Sequence, residues 1–207
     1  MNIEHVEFVV SAARLEDLPR DRAPELALIG RSNVGKSSLI NALVKRTVAR
    51  TSNTPGKTRL ANVYRVRPAG ARPFYLVDLP GYGHTDARQG REAFDAVTRM
   101  YFAGVEGARP ARRVRETLGA VLLLVDARHP GMASDLAARA WLASLGIEWV
   151  VVATKIDKLS RAERIRSLAE LERIVQVPVL PTSAETGEGR EELWRLILRC
   201  VNLKPPR

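Results

Sequence analysis

The chain of 207 residues has one cysteine, Cys200, and three histidines. A single cysteine excludes an intrachain disulfide and supplies no thiolate set for a metal cluster; on the apolar face of the last helical segment, Cys200 reads as a packing residue. Aromatic residues make up only 5% of the chain, which argues against a base-stacking platform for single-stranded nucleic acid. No apolar run approaches the ~20 residues that span a bilayer. Met1 to Arg20 carries Glu4, Glu7, Glu16 and Asp17 without a cleavable signal pattern, so a cytoplasmic protein with no membrane partner is expected. His84 and His129 have no carboxylate at a fixed sequence distance and read as polar turn residues. Internal repeats and low-complexity stretches are also missing, and a 45% hydrophobic chain of this length suits one sizeable core.

Positive charge is what the sequence has in excess. The formal net charge is +10, and most of the 33 basic residues are arginine. Many fall in Lys45 to Arg72 and in Arg109-Pro-Ala-Arg-Arg-Val-Arg115. Arginine binds phosphate in a bidentate fork, so these clusters suit contact with a nucleic-acid backbone. A solvated surface loaded by an arginine-rich composition is the bland alternative.

Residues 30 to 37 read Gly-Arg-Ser-Asn-Val-Gly-Lys-Ser, between the apolar run Leu26 to Ile29 and the helix-forming segment Ser38 to Leu43. This is the phosphate-loop pattern G-x-x-x-x-G-K-[ST] in a strand–loop–helix setting. Gly30 and Gly35 let the backbone wrap closely round phosphate oxygens, with N–H groups and the helix N-terminus facing the anion. Lys36 is placed to reach the β- and γ-phosphates and Ser37 to ligate Mg²⁺. Phe74 to Val77 leads into Asp78-Leu79-Pro80-Gly81, where Asp78 can hold Mg²⁺ through water and the Gly81 N–H can meet the γ-phosphate; as a plain motif it is also a good turn.

Two later runs, Val121 to Asp126 and Trp149 to Ala153, read as parallel strands buried on both faces. The second ends in Thr154-Lys155-Ile156-Asp157. A carboxylate can accept from both N1–H and the exocyclic amine of guanine, a donor pair adenine lacks, so Asp157 is the expected base reader. Lys155 is expected to lie along the base and Thr154 to tie this loop to the phosphate loop. Val179 to Pro181 reads as a short last strand, followed by Thr182, Ser183 and Ala184, with the Ser183 and Ala184 backbone expected at the guanine carbonyl.

These segments, in this order, resemble the translation-factor class of P-loop GTPases. Gly30 to Leu43, Asn53-Thr-Pro-Gly-Lys-Thr58, Asp78-Leu-Pro-Gly-Tyr-Gly83, Asp126-Ala-Arg-His-Pro130 and Thr154 to Asp157 narrow the resemblance to the EngB ribosome-biogenesis GTPases over nearly the whole chain. The resemblance implies a GTP hydrolase acting as a switch in assembly of the large ribosomal subunit, with precursor rRNA as partner and Mg²⁺ as cofactor; no DNA partner and a monomer are expected. It places Thr58 in the first switch and in the magnesium shell. Nucleotide contacts are then expected from Gly30, Arg31, Ser32, Asn33, Val34, Gly35, Lys36, Ser37 and Ser38. They continue through Gly56, Lys57, Thr58, Arg59 and Leu60, and through Asp78, Leu79, Pro80 and Gly81. Thr154, Lys155, Ile156, Asp157, Thr182, Ser183 and Ala184 complete the set. Lys36, Thr58 and Gly81 carry the expected catalytic roles; Ser37, Thr58 and Asp78 carry the metal.

One departure bears on mechanism. Ras-like enzymes place a water-orienting glutamine directly after the Asp-x-x-Gly turn, where this chain has Tyr82. A phenol cannot reproduce the amide geometry that aligns a water, so slow intrinsic turnover is expected. Asn33 leaves two readings open, a loop residue or, as in potassium-dependent relatives, a holder of K⁺ beside the phosphates. A GTP-dependent switch acting on a protein effector in cell division or signalling is the alternative to the ribosomal reading.

The order of elements predicts an α/β fold: a single P-loop GTPase domain with a mostly parallel six-stranded sheet, one antiparallel strand and helices on both faces. Residues 25–201 form the expected GTPase domain. Residues 1–24 are an expected arm or short strand, centred on Val6 to Val10, and 202–207 a tail. Leu60 to Val66 and Phe74 to Val77 suit a hairpin. Helices are expected over Arg91 to Ala103, Ala133 to Leu145, Arg161 to Ile174 and Arg190 to Val201.

Overall fold

The computed structural model describes residues 1–50, 60–83, 96–103 and 117–202. Its strands are β1 (Ile3–Ala12), β2 (Glu25–Gly30), β3 (Ala61–Pro68), β4 (Phe74–Asp78), β5 (Leu118–Asp126), β6 (Trp149–Thr154) and β7 (Val179–Pro181). The helices are α1 (Lys36–Val44), α2 (Ala96–Ala103), α3 (Ala133–Ser144), α4 (Arg161–Val175) and α5 (Arg190–Asn202). The sheet order is β1-β3-β4-β2-β5-β6-β7. β3 pairs antiparallel with both β1 and β4, while β2, β4, β5, β6 and β7 pair in parallel, so β3 alone runs against the rest.

Among the described residues the sheet has seven strands where six were expected. The addition is β1, which extends well beyond Val6 to Val10 in both directions. Register shifts between Ile3 and His5 and between Phe8 and Val10 break its pairing with β3. Each shift interrupts the two-residue alternation by which a half-buried strand is read from sequence.

Alternation along β2 shows why both faces need helices. Ala27 and Ile29 join one core with Val121, Leu123 and Val125 of β5, Tyr101 and Phe102 of α2, Leu142 of α3 and Leu171 of α4. Leu26 and Leu28 join the other core with Leu122 and Leu124, Leu39, Ile40 and Leu43 of α1, and Leu193, Trp194 and Ile197 of α5. β5 is consequently buried at every position, which is why its sequence is an unbroken apolar run. The Trp194 indole N–H donates to the Leu43 carbonyl at 3.2 Å, satisfying one of the orphan carbonyls of the last turn of α1. Cys200 is buried, and a Cβ on Gly119 at the start of β5 would lie 2.9 Å from the Cys200 carbonyl oxygen, so α5 lies directly against the strand there.

Helix boundaries follow local chemistry. Ser160 and Glu163 form a reciprocal capping box at the start of α4. α1 instead starts from Gly35 in a left-handed conformation (φ 107°) with no side-chain cap, which leaves its first amides to an external acceptor. Among the described residues, no helix is long and apolar enough to cross a membrane.

Candidate functional site

The parallel strands β2, β4, β5, β6 and β7 deliver their carboxyl ends to one edge of the sheet, and the sequence segments singled out above meet there. β2 ends in the phosphate loop. Asn33 (φ 59°) and Gly35 (φ 107°) both take left-handed conformations, which turns consecutive N–H groups toward one side. A Cβ on Gly30 would lie 2.8 Å from both the Leu124 carbonyl oxygen and Val34 Cγ1, so only glycine fits where the loop leaves the sheet.

The Asp78–Gly81 turn lies on this loop. A Cβ on Gly81 would lie 2.9 Å from Ser32 N and Cα and 3.2 Å from Lys36 Nζ. The Ser32 N–H donates to the Tyr82 carbonyl at 3.1 Å, and the Tyr82 N–H to the Gly30 carbonyl at 3.3 Å. Leu79 is buried beneath the turn, as is Val34 within the phosphate loop, while Arg31 forms a bridge to Tyr82. Pro80 is also buried, and Ser38, in the first turn of α1, is exposed.

Lys36 and Asp78 are both buried in this contact. Burial pushes the Lys36 ammonium down, opposed by the nearby Asp78 charge; burial pushes the Asp78 carboxyl up, opposed by Lys36 and by Ser37. Ser37 Oγ donates to Asp78 Oδ2 at 3.0 Å, and Asp78 Oδ1 is buried with no hydrogen-bond partner among the described residues. An orphaned carboxylate oxygen beside a hydroxyl is the oxygen donor set that Mg²⁺ takes when water and phosphate supply the rest of its shell. The residues therefore fit the ion.

On the other side, Thr154 Oγ1 lies 2.7 Å from the Val34 carbonyl and 3.2 Å from that of Val125, so its one proton ties β6 to the phosphate loop or to β5. Lys155, left-handed at φ 60°, sends Nζ to the Asn33 carbonyl and to Asp126 Oδ2 at 2.9 Å. Asp126, at the end of β5, also takes the Arg128 guanidinium in a bidentate pair of 2.9 and 2.7 Å. Burial alone would raise the Asp126 carboxyl, but the Arg128 and Lys155 hydrogen bonds outweigh it and hold the value at about 2. The sequence reading gave Asp126 no role; an acid closing an apolar strand, two residues before an arginine, was the available signal.

Ile156 is buried, and its N–H donates to the Thr182 carbonyl at 3.4 Å. Asp157 Oδ1 accepts from Ser183 Oγ at 2.7 Å, and Lys158 Nζ lies 3.2 Å from Oδ2. Burial acts to raise the Asp157 carboxyl, yet the Ser183 and Lys158 contacts prevail and hold it below the usual carboxylate range. Ser183 Oγ in turn accepts from the N–H groups of Glu185 and Thr186 at 3.2 and 3.0 Å. The Ser183 backbone N–H is engaged by the Glu188 carbonyl at 3.0 Å. The Ser183 hydroxyl is thus tied to Asp157 and its backbone N–H to Glu188. Thr182 is buried and Ala184 is half-buried beside it.

Tyr82 is buried, and its phenol donates to Asp135 Oδ1 of α3 at 2.8 Å. Burial raises the Asp135 carboxyl, with the Tyr82 bond and the Arg31 charge opposing. Tyr82 is thus committed to joining the Gly81 turn to α3. Tyr82→Phe is expected to destabilise the protein by about 1–3 kcal/mol, because it strips a partner from a buried acid, in urea unfolding at neutral pH. Nucleotide hydrolysis should change by less than about threefold, since the phenol proton is already given to Asp135.

Leu60 is exposed just before β3. Gly56, Lys57, Thr58 and Arg59, together with His84, residues 91–95 and Arg109 to Arg115, lie outside the described residues. His129 is exposed in the turn after Asp126, its N–H donating to the Asp126 carbonyl at 3.0 Å.

A mostly parallel sheet with a phosphate loop after β2, an Asp-x-x-Gly turn docked on that loop and a Thr-Lys-x-Asp loop after β6 defines a P-loop GTPase. A family profile described as 50S ribosome-binding GTPase matches residues 25–155. The probable GTP-binding protein EngB of Pelotomaculum thermopropionicum is 44% identical over 210 residues, covering 98% of each chain. That of Solibacter usitatus is 44% identical over 200 residues, covering 96% of this chain and 97% of its own. The chain belongs to the EngB family of GTP-binding proteins and is a GTP hydrolase. Among solved structures, Aquifex aeolicus Era bound to GDP and aluminium fluoride superposes with a TM-score of 0.70 at 21% identity, over 89% of this chain and 58% of that one. A probable GTP-binding protein engB superposes at 0.58 with 22% identity, over 86% and 99%. Both likenesses concern the fold.

Proposed function

We propose that this GTPase is a cytoplasmic, monomeric switch in assembly of the large ribosomal subunit, docking on precursor rRNA in its GTP form and leaving after hydrolysis. The observation that carries the partner is the match of residues 25–155 to the 50S ribosome-binding GTPase family. The net charge of +10 is consistent with a phosphate-backbone partner. Arg46, Arg50, Arg67 and Arg72 are exposed, and Arg46 and Arg50 precede the first switch. The GTPase unit in this reading is residues 25–201, with residues 1–24 packed on it and 202–207 as a tail.

In the bound state Lys36 would reach the β- and γ-phosphates, and Ser37, Thr58 and, through water, Asp78 would hold Mg²⁺. The ion, when bound, neutralises charge on the phosphate oxygens. The Ser32 N–H is held by the Tyr82 carbonyl. It can face a γ-phosphate only when that carbonyl withdraws, so the Gly81 turn and the γ-phosphate compete for one donor. Asp157 would read guanine, Lys155 would cover the base, and Ala184, rather than Ser183, would offer its N–H to the guanine carbonyl. Asn33, exposed in the loop with its carbonyl already on Lys155, is the residue on which a potassium requirement would rest.

The partner is tested by co-sedimentation with large-subunit particles across a salt series. Association should be stronger with a non-hydrolysable GTP analogue than with GDP, and each Arg→Ala change in a true contact should flatten the log–log salt slope by roughly 0.7–0.9 while leaving nucleotide affinity unchanged. Particles ignored at low salt, or bound alike in both nucleotide states, would move the reading to a protein effector.

A further inference from the structure

The Lys155 side chain joins the phosphate loop to the sheet, and one carboxylate sets where it ends. Asp126 and Thr154 are register partners where β5 and β6 finish, and the Ala127 N–H donates to the Thr154 carbonyl at 3.0 Å, so the strands stay paired up to the residue before Lys155. Lys155 then takes its left-handed turn, and its stem runs back across the phosphate loop, where a Cβ on Gly35 would lie 3.9 Å from Lys155 Cε. The ammonium ends between the Asn33 carbonyl on the loop and Asp126 Oδ2 on the sheet. Asp126 Oδ1 accepts from Arg128 Nε at 2.9 Å and from the Arg128 backbone N–H at 3.1 Å. Oδ2 accepts from Arg128 Nη2 at 2.7 Å and from Lys155 Nζ at 2.9 Å. A carboxylate has roughly four lone-pair sites, and these donors occupy them all. The Arg128 fork fixes the plane of the carboxylate, so Oδ2 stays turned to Lys155. The acid is the inner member: the Asp126 side chain is 9% exposed, against 27% for Lys155 and 40% for Arg128.

We propose that Asp126, aimed by Arg128, is a positioning residue for guanine nucleotides: it fixes the Lys155 ammonium beside Asn33 so that the Lys155 stem is already laid where the base will rest. The proposal rests on the reading of Lys155 as the residue that lies along the base. A lysine chain without this anchor samples many rotamers, and the nucleotide must order it on binding. Asp126 orders it beforehand, which lowers that cost. Asp126 closes β5, whereas Asp78 closes β4 on the other side of β2, so the anchor belongs to the base side of the site and serves GDP and GTP alike. An asparagine keeps one acceptor and turns an amide N–H toward one of the two cations, so it cannot serve Arg128 and Lys155 together.

The test measures affinities of Mg²⁺·GDP, Mg²⁺·IDP and a Mg²⁺·non-hydrolysable GTP analogue in the full chain and its Asp126→Asn, Arg128→Ala, Lys155→Met and Asp126→Asn/Lys155→Met variants, beside thermal melting without nucleotide. Asp126→Asn should weaken GDP and the analogue alike by about tenfold. Arg128→Ala, which leaves the carboxylate and removes its aim, should weaken both by about threefold. IDP lacks the exocyclic amine that Asp157 is expected to read, so the ratio of GDP to IDP affinity should stay within about twofold in Asp126→Asn. In the Lys155→Met background, Asp126→Asn should cost less than about twofold further, because both act through one contact. An acid that merely supports the fold would cost the same in both backgrounds, and that result would overturn the proposal. A changed ratio of GDP to IDP, or full affinity in Asp126→Asn while Lys155→Met loses binding, would overturn it too. Where Asp126→Asn does not fold, the exposed Arg128→Ala change in the same two backgrounds carries the test. Full affinity in Lys155→Met itself would remove the reading of Lys155, and the Asp126 proposal with it.

Discussion

Asp157→Asn is expected to weaken GTP and GDP binding on the order of 10⁴-fold and to turn preference toward xanthine nucleotides. The carboxylate is held ionised and aimed: Ser183 Oγ donates to Oδ1 at 2.7 Å and Lys158 lies 3.2 Å from Oδ2. Guanine presents N1–H and an exocyclic amine, and an ionised carboxylate presents acceptors to both. An asparagine keeps one acceptor, which the Ser183 hydroxyl can still address, and turns a donor toward the guanine amine. Xanthine carries a carbonyl in place of that amine and accepts the new donor. The Ser183 contact survives the change, so the fold should persist and thermal melting without nucleotide should move little. Titration with fluorescent GDP, XDP and ADP measures the exchange directly. Equal binding of ATP and GTP by the unaltered chain would remove Asp157 from this role.

Much of this site was legible because its parts are local in sequence. Gly30, Gly35, Lys36 and Ser37 sit in one short strand–loop–helix stretch, and the apolar runs of β5 and β6 announce strands covered on both faces. What escaped was long-range pairing. Nothing near Asp126 reveals that it receives Lys155 from the loop after the neighbouring strand β6, and nothing near Tyr82 reveals Asp135, which comes from α3. The hydroxyl of Ser183 was invisible for the same reason, since its partner Asp157 comes from the loop after β6. β1 escaped differently: its register shifts against β3 erase the alternation that would have marked its full length. Local chemistry is written in the sequence, whereas the orientation of that chemistry is set by whichever strand or helix the sheet brings alongside.

The Lys36–Asp78 pair gives the other large expected effect. Lys36→Met should abolish productive nucleotide binding while leaving the nucleotide-free fold in place. Truncating one partner of a desolvated charge contact costs about 2–5 kcal/mol or more, roughly 30- to several-thousand-fold in affinity, and here the lost partner is the ammonium expected on the β- and γ-phosphates. A methionine of similar length fills the buried volume without bringing a charge. Lys36→Arg should not rescue binding, because a broad planar guanidinium fork does not reproduce the compact point charge of an ammonium. Without Lys36, Asp78 loses the charge that opposes its burial, so its carboxyl rises further. A carboxyl whose folded value lies above its unfolded value of 3.8 contributes stability that is fully present below the unfolded value and is lost as pH rises through the folded one. Raising the folded value therefore makes that loss larger and extends it to higher pH in the nucleotide-free variant, from the same start at the unfolded value. Urea unfolding of both proteins at several pH values, beside nucleotide titration, separates the two consequences. A Lys36→Met chain that still bound GTP within about tenfold of the unaltered protein would place the phosphates elsewhere than against Lys36.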